Sequence, residues 1–360
     1  MSPPLVFPDT AQGLAAAMGH PAFRIGAPDQ PPPVPHDLPV FETLTSGSTG
    51  QPRRILRTQG SWTASFAVNA CFSIGPGARV AVLGRLVHSL ALYGAVEGLH
   101  LGAEVHLLDA LRPDRQRKAL AEREITHLYA TPAQLRLLVE GGGLCPDLRL
   151  VLVGGSKLDA RLHSALAGMA PAAEVREFYG AAETSFITLA DGDTPEGSVG
   201  RAYPGVEIRV EAGEVWVRSP YLFLGYAGGK GSARWSDGWL SVGEMGRLEG
   251  GFLYLDGRAG RMVTVADQNV FPEAIEALLE TMPGVNRAAV LPVPDPRRGV
   301  VLVALVKGDR AVEAAVMARL RAELGPLKAP RALIWQVDWP VLPSGKTDLR
   351  GLEARLTWPG

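Results

Sequence analysis

The sequence predicts an α/β protein: a large N-terminal domain with a doubly wound sheet and a small β-rich subdomain, followed by a small α+β C-terminal domain. Three observations carry this. From about 79 to 178, short β-branched runs alternate with helical patterns, the rhythm of a parallel sheet. Near 199 the runs close up into pairs that suit antiparallel strands. Beyond "DGRAGRM" (256–262) a compact unit of about a hundred residues begins, a usual domain size.

Residues 27–38, "APDQPPPVPHDL", are proline-rich and read as an extended lead-in. "RVAVLG" (79–84), "EVHLLD" (104–109), "ITHLYA" (125–130) and "LRLVLVGG" (148–155) read as buried strands. "SLALYGAVEGLHLG", "RPDRQRKALAER" and "PAQLRLLVEGG" supply the helices between them. Ligands of such sheets sit beyond the carboxyl ends of the strands. "VEIRV" and "GEVWVRS" are spaced to pair through a short turn. Pro272 opens a helix with Ile275, Leu278, Leu279 and Met282 on one face. Strands "RAAVLPV" and "VVLVALV", a helix over 311–324 and strand "ALIWQV" complete the unit.

The bulk numbers narrow the function. The 360 residues exceed what one core supports. With 46% hydrophobic and 20% charged residues, the composition is globular. A net charge of −1 leaves no footprint for a nucleic-acid partner. Cys71 and Cys145 have no metal-like spacing and read as reduced thiols of a cytoplasmic protein. No signal peptide is evident, and no run reaches the roughly 18 apolar residues of a membrane span.

"LTSGSTGQPRRIL" (44–56) concentrates hydroxyls and glycines, then turns basic at Arg53 and Arg54. Small residues leave backbone N–H groups unshielded, so such a loop can wrap phosphate oxygens. It lacks the Gly-Lys pair of the P-loop, and residues 44–50 alone also read as a surface turn.

Five elements in order, the ribose-binding one in two segments, resolve the ambiguity. "TSGSTGQPR" (45–53) resembles the phosphate loop of the adenylate-forming enzymes: acyl-CoA synthetases, aryl-CoA ligases, luciferases and adenylation domains. "FYGAAETS" (178–185) resembles their Tyr-Gly-x-Thr-Glu segment. "GWLSVGEMGRL" (238–248) and "YLDGR" (254–258) are similar to the ribose-binding elements. "NVFPEAIE" (269–276) is similar to the first C-terminal helix, and "LPSGKTDLR" (342–350) to the closing Gly-Lys loop. The resemblance covers residues 41–350 and implies a chemistry. A carboxylate attacks the α-phosphate of ATP, forms an acyl-AMP anhydride and expels pyrophosphate; a thiol then takes the acyl group. Charge developing on phosphorus makes cations and aimed donors decisive.

The resemblance also implies roles. Thr45, Ser46, Gly47, Ser48, Thr49, Gly50 and Arg53 would hold the β- and γ-phosphates, and Glu183 would help bind Mg²⁺. Phe178, Tyr179 and Gly180 would meet adenine against Gly154, Gly155 and Ser156. Glu244 and Arg258 would meet the ribose, and His88, Ser185 and Phe186 the acyl group. Lys346 would bridge carboxylate and α-phosphate, with a pivot at Ala259–Arg261 turning the C-terminal domain (262–360) against residues 1–258. Each residue has a plainer reading: Lys346 a solvated loop lysine, Glu183 a surface acid, Glu244 a turn cap, His88 a packed ring. Only six lysines occur among 36 basic residues, yet one sits in the Gly-Lys loop, and lysine is not interchangeable with arginine. Lys157 and Arg201 read as surface or supporting groups.

Five departures from the family pattern matter, with Arg261 and Asp267 taken together as one. Arg53 stands where lysine is usual, Ala182 for a threonine, and Glu244 for an aspartate. Arg261 takes the hinge position of an aspartate or lysine, and Asp267 that of a tunnel glycine, which bears on acceptance of CoA. The phosphate loop also comes early, so a missing layer would leave apolar surface for a homodimer to cover.

No acid occurs in "VHSLALYG" to hold an amino group. A fatty or aromatic carboxylate is therefore expected, passed to CoA, with an o-succinylbenzoate–CoA ligase or a loader of an acyl-carrier protein as alternatives. Two other classes stay open: a non-catalytic nucleotide or acyl-adenylate binder, and an ordinary NTPase.

Overall fold

A computed structural model describes residues 5–26, 33–45, 53–229, 231–265, 268–296, 298–342 and 345–358. Ser46 to Gly50 of the hydroxyl-rich segment, Asp267, and much of the proline-rich lead-in lie outside them.

Five parallel strands form the heart of the molecule, in the spatial order Glu104–Leu107, Arg79–Val82, His127–Ala130, Leu150–Val153, Glu174–Ala181. Side chains alternate across a strand, so each strand feeds two cores. Val80, Val82, Tyr129, Leu150 and Leu152 pack on one side with the helix Ser89–His100. Ala81, Leu128, Ala130, Val151 and Val153 pack on the other with Pro113–Glu122, Pro132–Val139 and Ala160–Met169. The sheet is thus doubly wound, as its near-continuous apolar runs predict. The order reverses at Arg79–Val82, whose neighbours are the next two strands in the chain, and the crevice there is where doubly wound sheets bind ligands.

Glu174–Ala181 joins two regimes. Its first half runs parallel to Leu150–Val153, whereas Phe178–Ala181 pair antiparallel with Ser185–Leu189. Antiparallel strands continue the sheet to thirteen, including the predicted pair Glu207–Glu211 and Glu214–Arg218, turned at Glu211 opposite Glu214.

A second, five-stranded sheet contains the hairpin Val40–Leu44 and Arg54–Thr58, in register from Val40 opposite Thr58 to Leu44 opposite Arg54. The candidate phosphate loop is the connection of this hairpin. Arg24 and Glu42 form a buried ion pair at 3.0 Å within the same sheet.

Residues from Val263 onward have cores of their own. Strands Val285–Asp295 and Gly299–Gly308 form a long antiparallel pair, with Leu333–Trp335 parallel to the second. Helix Pro272–Glu280 buries Ile275 and Leu279, with Leu278 half-buried beside them. The helix expected over 311–324 runs instead over Glu313–Lys328, preceded by a short 3-10 turn. Its last turn is broken at Gly325, φ 76°, before Pro326, because proline cannot continue a regular helix. No helix among the described residues is long and apolar enough to cross a membrane.

Candidate active site

A cavity of about 1270 Å³ opens at the carboxyl ends of the parallel strands. Gly84, Arg85, His88 and Ser89, which follow Arg79–Val82, form one wall, and Thr131 and Gln134, which follow His127–Ala130, form another. These are the loops flanking the switch point. The C-terminal unit closes the top with Met262, Leu291, Lys346 and Arg350.

Thr45 and Arg53 line the cavity and clasp the hairpin loop between them. The Thr45 amide donates to the Arg53 carbonyl at 2.9 Å, and the Arg53 amide donates to Thr45 Oγ1 at 2.9 Å. The Arg53 guanidinium donates to Ser232 Oγ at 2.9 Å, which holds its charge beside the loop.

Glu183 lines the same cavity. Tyr226 donates its hydroxyl to Glu183 Oε1 at 2.8 Å, and the Phe223 amide donates to the Glu183 carbonyl at 2.9 Å. Among the described residues no cluster of three or more His, Cys, Asp or Glu side chains gathers to hold a metal. A single carboxylate in a cavity shared with Thr45 and Arg53 still fits Mg²⁺, which keeps waters and takes its other ligands from substrate phosphates.

Lys346 reaches the cavity from the C-terminal unit. Burial lowers its pKa, with Arg258 adding to the effect, against Glu244 and Glu183, which favour the charged form. Glu244 is buried and accepts from Arg258 Nε at 2.9 Å. Gly345, φ 81°, brings the lysine in: a Cβ there would lie 2.7 Å from the Ala133 Cβ.

Not every expected residue faces the cavity. Phe178, Gly180, Gly155 and Arg258 line it, but Tyr179, Gly154, Ser156 and Glu244 do not. Strand alternation takes Tyr179 off the lining between Phe178 and Gly180. Its hydroxyl is buried without a hydrogen-bond partner, in the field of Glu244, Arg258 and Glu183. Gly154 is buried against the Phe178 ring, whereas Ser156 is exposed. Gly180 has no substitute, since a Cβ would fall 1.9 Å from the Ser185 carbonyl oxygen.

His88, Ser185 and Phe186 lie in the inner part of the cavity with Trp62, Tyr93, Tyr129 and Phe178. Phe186 packs edge-on to Tyr93 at 5.1 Å and stacks on Tyr203 at 4.8 Å. His88 Nδ1 is buried without a partner, and burial, aided by Arg85, lowers the ring's pKa. Both effects favour the neutral imidazole.

Sequence reasoning missed the polar network beneath these rings. Glu97, fully buried in the helix Ser89–His100, accepts from Asn69 Nδ2 at 2.8 Å, from the Tyr93 hydroxyl at 3.3 Å and from the Tyr129 hydroxyl. Tyr203 donates to Asn69 Oδ1 at 2.7 Å. Burial raises the Glu97 pKa to about 7. The signal was present: one acid inside the largely apolar "ALYGAVEGLHLG".

Arg261, expected at the hinge, lines the cavity and lies in the 3-10 turn Ala259–Arg261. Its guanidinium donates to Glu276 at 2.7 and 3.1 Å and to the Val290 carbonyl at 3.1 Å, and pairs with Glu273 at 3.3 Å.

A doubly wound sheet whose ligand crevice is capped by a lysine-bearing α+β unit is the fold of the adenylate-forming enzymes. The chain belongs to the AMP-binding enzyme family, whose model matches residues 6–227 and whose C-terminal domain model matches residues 274–346. It is 32% identical over 336 residues to the uncharacterized acyl–CoA ligase YhfT of Bacillus subtilis, covering 89% of this chain and 69% of that one. It is 28% identical over 359 residues to the indoleacetate–CoA ligase of Aromatoleum aromaticum, covering 91% and 70%. Among solved structures, the amide bond synthetase McbA from Marinactinospora thermotolerans superposes with a TM-score of 0.76 at 28% identity, covering 88% of this chain and 69% of that one.

Proposed function

We infer that this protein activates a carboxylic acid with ATP, forming an acyl-AMP and releasing pyrophosphate, and then passes the acyl group to CoA. The observation that carries the reading is the position of Lys346. A chemically distinct cation from the far end of the chain shares one cavity with Glu183, Arg258 and the clasped ends of the hydroxyl-rich loop.

In this reading Thr45, Ser46 to Gly50 and Arg53 receive the β- and γ-phosphates. Glu183 would help hold Mg²⁺, which would neutralise charge on the triphosphate. Lys346 brings the carboxylate oxygen and the α-phosphate together and stabilises the charge of the in-line displacement. Arg258 and Glu244 bind at the ribose, with Phe178, Tyr179, Gly180 and Gly154 to Ser156 around adenine. Residues 1–258 act as the ATP- and acyl-binding domain, Ala259–Arg261 as the pivot, and 262–360 as the lid that turns for thiol attack.

The acid sits among Trp62, Tyr93, Tyr129, Phe178 and Phe186, beside the neutral His88. Aromatic walls with few polar groups favour an aromatic or short apolar carboxylate. The named activity of the Aromatoleum relative agrees with an aryl acid and with CoA as acceptor. A second copy covering exposed Phe7, Val34 and Leu38 remains part of the reading; a species of single-chain mass in light scattering at micromolar concentration removes it.

The test is pyrophosphate release with ATP and Mg²⁺ over a panel of aryl, fatty and dicarboxylic acids, with and without CoA. Acid-dependent release, with thioester only when CoA is present, supports the reading. Phosphate release without acid would make the protein an NTPase. ATP binding with no turnover for any acid would make it a sensor.

A further inference from the structure

Arg57 is 0% exposed, in the hairpin strand Arg54–Thr58. A guanidinium taken fully out of water is costly unless its donors are satisfied. Among the described residues no carboxylate forms an ion pair with it. Instead Nη2 donates to the Ala182 carbonyl at 2.8 Å, and Nη1 is shared among Ser185 Oγ at 2.8 Å, the Tyr221 carbonyl at 2.9 Å and Ser61 Oγ at 3.2 Å, while Nε is buried without a partner.

Two of these acceptors flank Glu183, one residue before it and two after. Ser185 has φ 57°, a conformation that L-residues rarely adopt, and its Oγ takes a second bond from Trp62 Nε1 at 2.9 Å. A third acceptor, Tyr221, begins the stretch that holds Glu183 itself through Phe223 and Tyr226. One planar fork therefore ties both ends of the Glu183 turn, and the segment behind it, to the strand that leaves the candidate phosphate loop. Arg57 itself is fully buried and does not line the cavity, whereas its partners Ala182 and Ser185 do.

We propose that Arg57 is a positioning residue for adenylation: its hydrogen bonds to Ala182 and Ser185 fix the turn between them so that the Glu183 carboxylate meets the metal-bound triphosphate in register with the candidate phosphate loop. This rests on the function proposed above. Arginine is required because a lysine ammonium carries the same charge from a single nitrogen and cannot bridge Ala182 O and Ser185 Oγ in one plane.

The test compares Arg57→Lys, Arg57→Met and Trp62→Phe with the unaltered protein, using an acid that the panel has shown to be turned over. For both Arg57 variants kcat for pyrophosphate release falls on the order of 10- to 100-fold. The Mg²⁺ concentration for half-maximal rate rises, while KM for the acid stays within about twofold. Trp62→Phe, which removes one of the two bonds on Ser185, moves the Mg²⁺ requirement the same way by roughly two- to fivefold. A residue that only stabilised the fold would lower the melting temperature and leave the Mg²⁺ requirement of the folded fraction unchanged. An Arg57→Lys protein with unaltered kcat and Mg²⁺ dependence overturns the inference. If both Arg57 variants fail to fold, an unshifted Mg²⁺ requirement in Trp62→Phe overturns it. Failure of the unaltered protein to release pyrophosphate with any acid overturns the underlying reading instead.

Discussion

Thr45 and Arg53 are joined by two reciprocal bonds, backbone amide to carbonyl in one direction and backbone amide to side-chain hydroxyl in the other, both at 2.9 Å. The pair closes the neck of the hydroxyl-rich connection, so the segment between them starts and ends at fixed points on a paired hairpin. Thr45→Val keeps the shape but leaves the Arg53 amide without its acceptor, a loss of about 1–2 kcal/mol. If the loop holds the triphosphate, KM for ATP rises roughly 5- to 30-fold while KM for the acid holds. Thr45→Ser, which keeps the hydroxyl, stays near the starting value. An unchanged ATP requirement in Thr45→Val would detach this clasp from nucleotide binding.

Lys346 makes a sharper claim. Lys346→Ala lowers carboxylate-dependent pyrophosphate release by at least about 100- to 1000-fold, yet thioester formation from supplied acyl-AMP continues. Lys346→Arg rescues little, since a planar fork does not replace a compact ammonium. Burial lowers the pKa of this lysine. The active, protonated form is full below that pKa, and release declines as pH rises through it, earlier than for an ordinary lysine. Normal release by the alanine variant removes Lys346 from the first step.

What could be read in advance depended on distance along the chain. Strands such as Arg79–Val82 and Leu150–Val153 are visible as β-branched runs because both faces are buried, and Pro272 marks its helix start locally. Motif segments placed Thr45, Arg53, Glu183, Arg258 and Lys346 at one cavity. The supports of those residues were not legible. Arg57 meets Ser185 across 128 positions, and Glu97 meets Asn69 across 28, partnerships that only packing creates. That Tyr179 does not line the cavity between Phe178 and Gly180 follows from strand alternation, which "FYG" read as a motif does not show. The switch of Glu174–Ala181 from parallel to antiparallel pairing also leaves no local mark.

Arg261 ties the presumed pivot to the lid. Its bonds to Glu276 and the Val290 carbonyl stay within the C-terminal unit, and Glu276 also accepts the Val290 amide at 2.7 Å. If the lid turns about the proposed pivot Ala259–Arg261, the anchored Arg261 side chain moves with the lid and Ala259 and Gly260 take up most of the rotation. Arg261→Ala leaves a partly buried Glu276 without its cation and costs the C-terminal unit about 2 kcal/mol, read by denaturant unfolding. Thioester formation slows more than pyrophosphate release, because only the second step requires the turned lid. Equal slowing of both steps would place the pivot elsewhere.

Glu97 provides a prediction about pH. In the unfolded chain its carboxyl titrates near 4.5, whereas burial carries it to about 7 in the folded protein. Between those values the native state holds the proton more tightly. The stabilising contribution is therefore complete below the unfolded pKa and is lost as pH rises through about 7. Above that pH a carboxylate lies buried under Tyr93 and Tyr129, with Asn69 as its third partner. Glu97→Gln keeps the shape and most of the hydrogen bonding without the charge. Its melting temperature should match or fall slightly below that of the unaltered protein at pH 5 and exceed it at pH 8, the difference corresponding to at most roughly 3 kcal/mol. Tyr129 and Tyr93 also wall the cavity; if the acid binds there, as proposed, its KM varies with pH in the unaltered protein and varies less in Glu97→Gln. Parallel stability curves for the two proteins from pH 5 to 8 would mean that Glu97 does not titrate there.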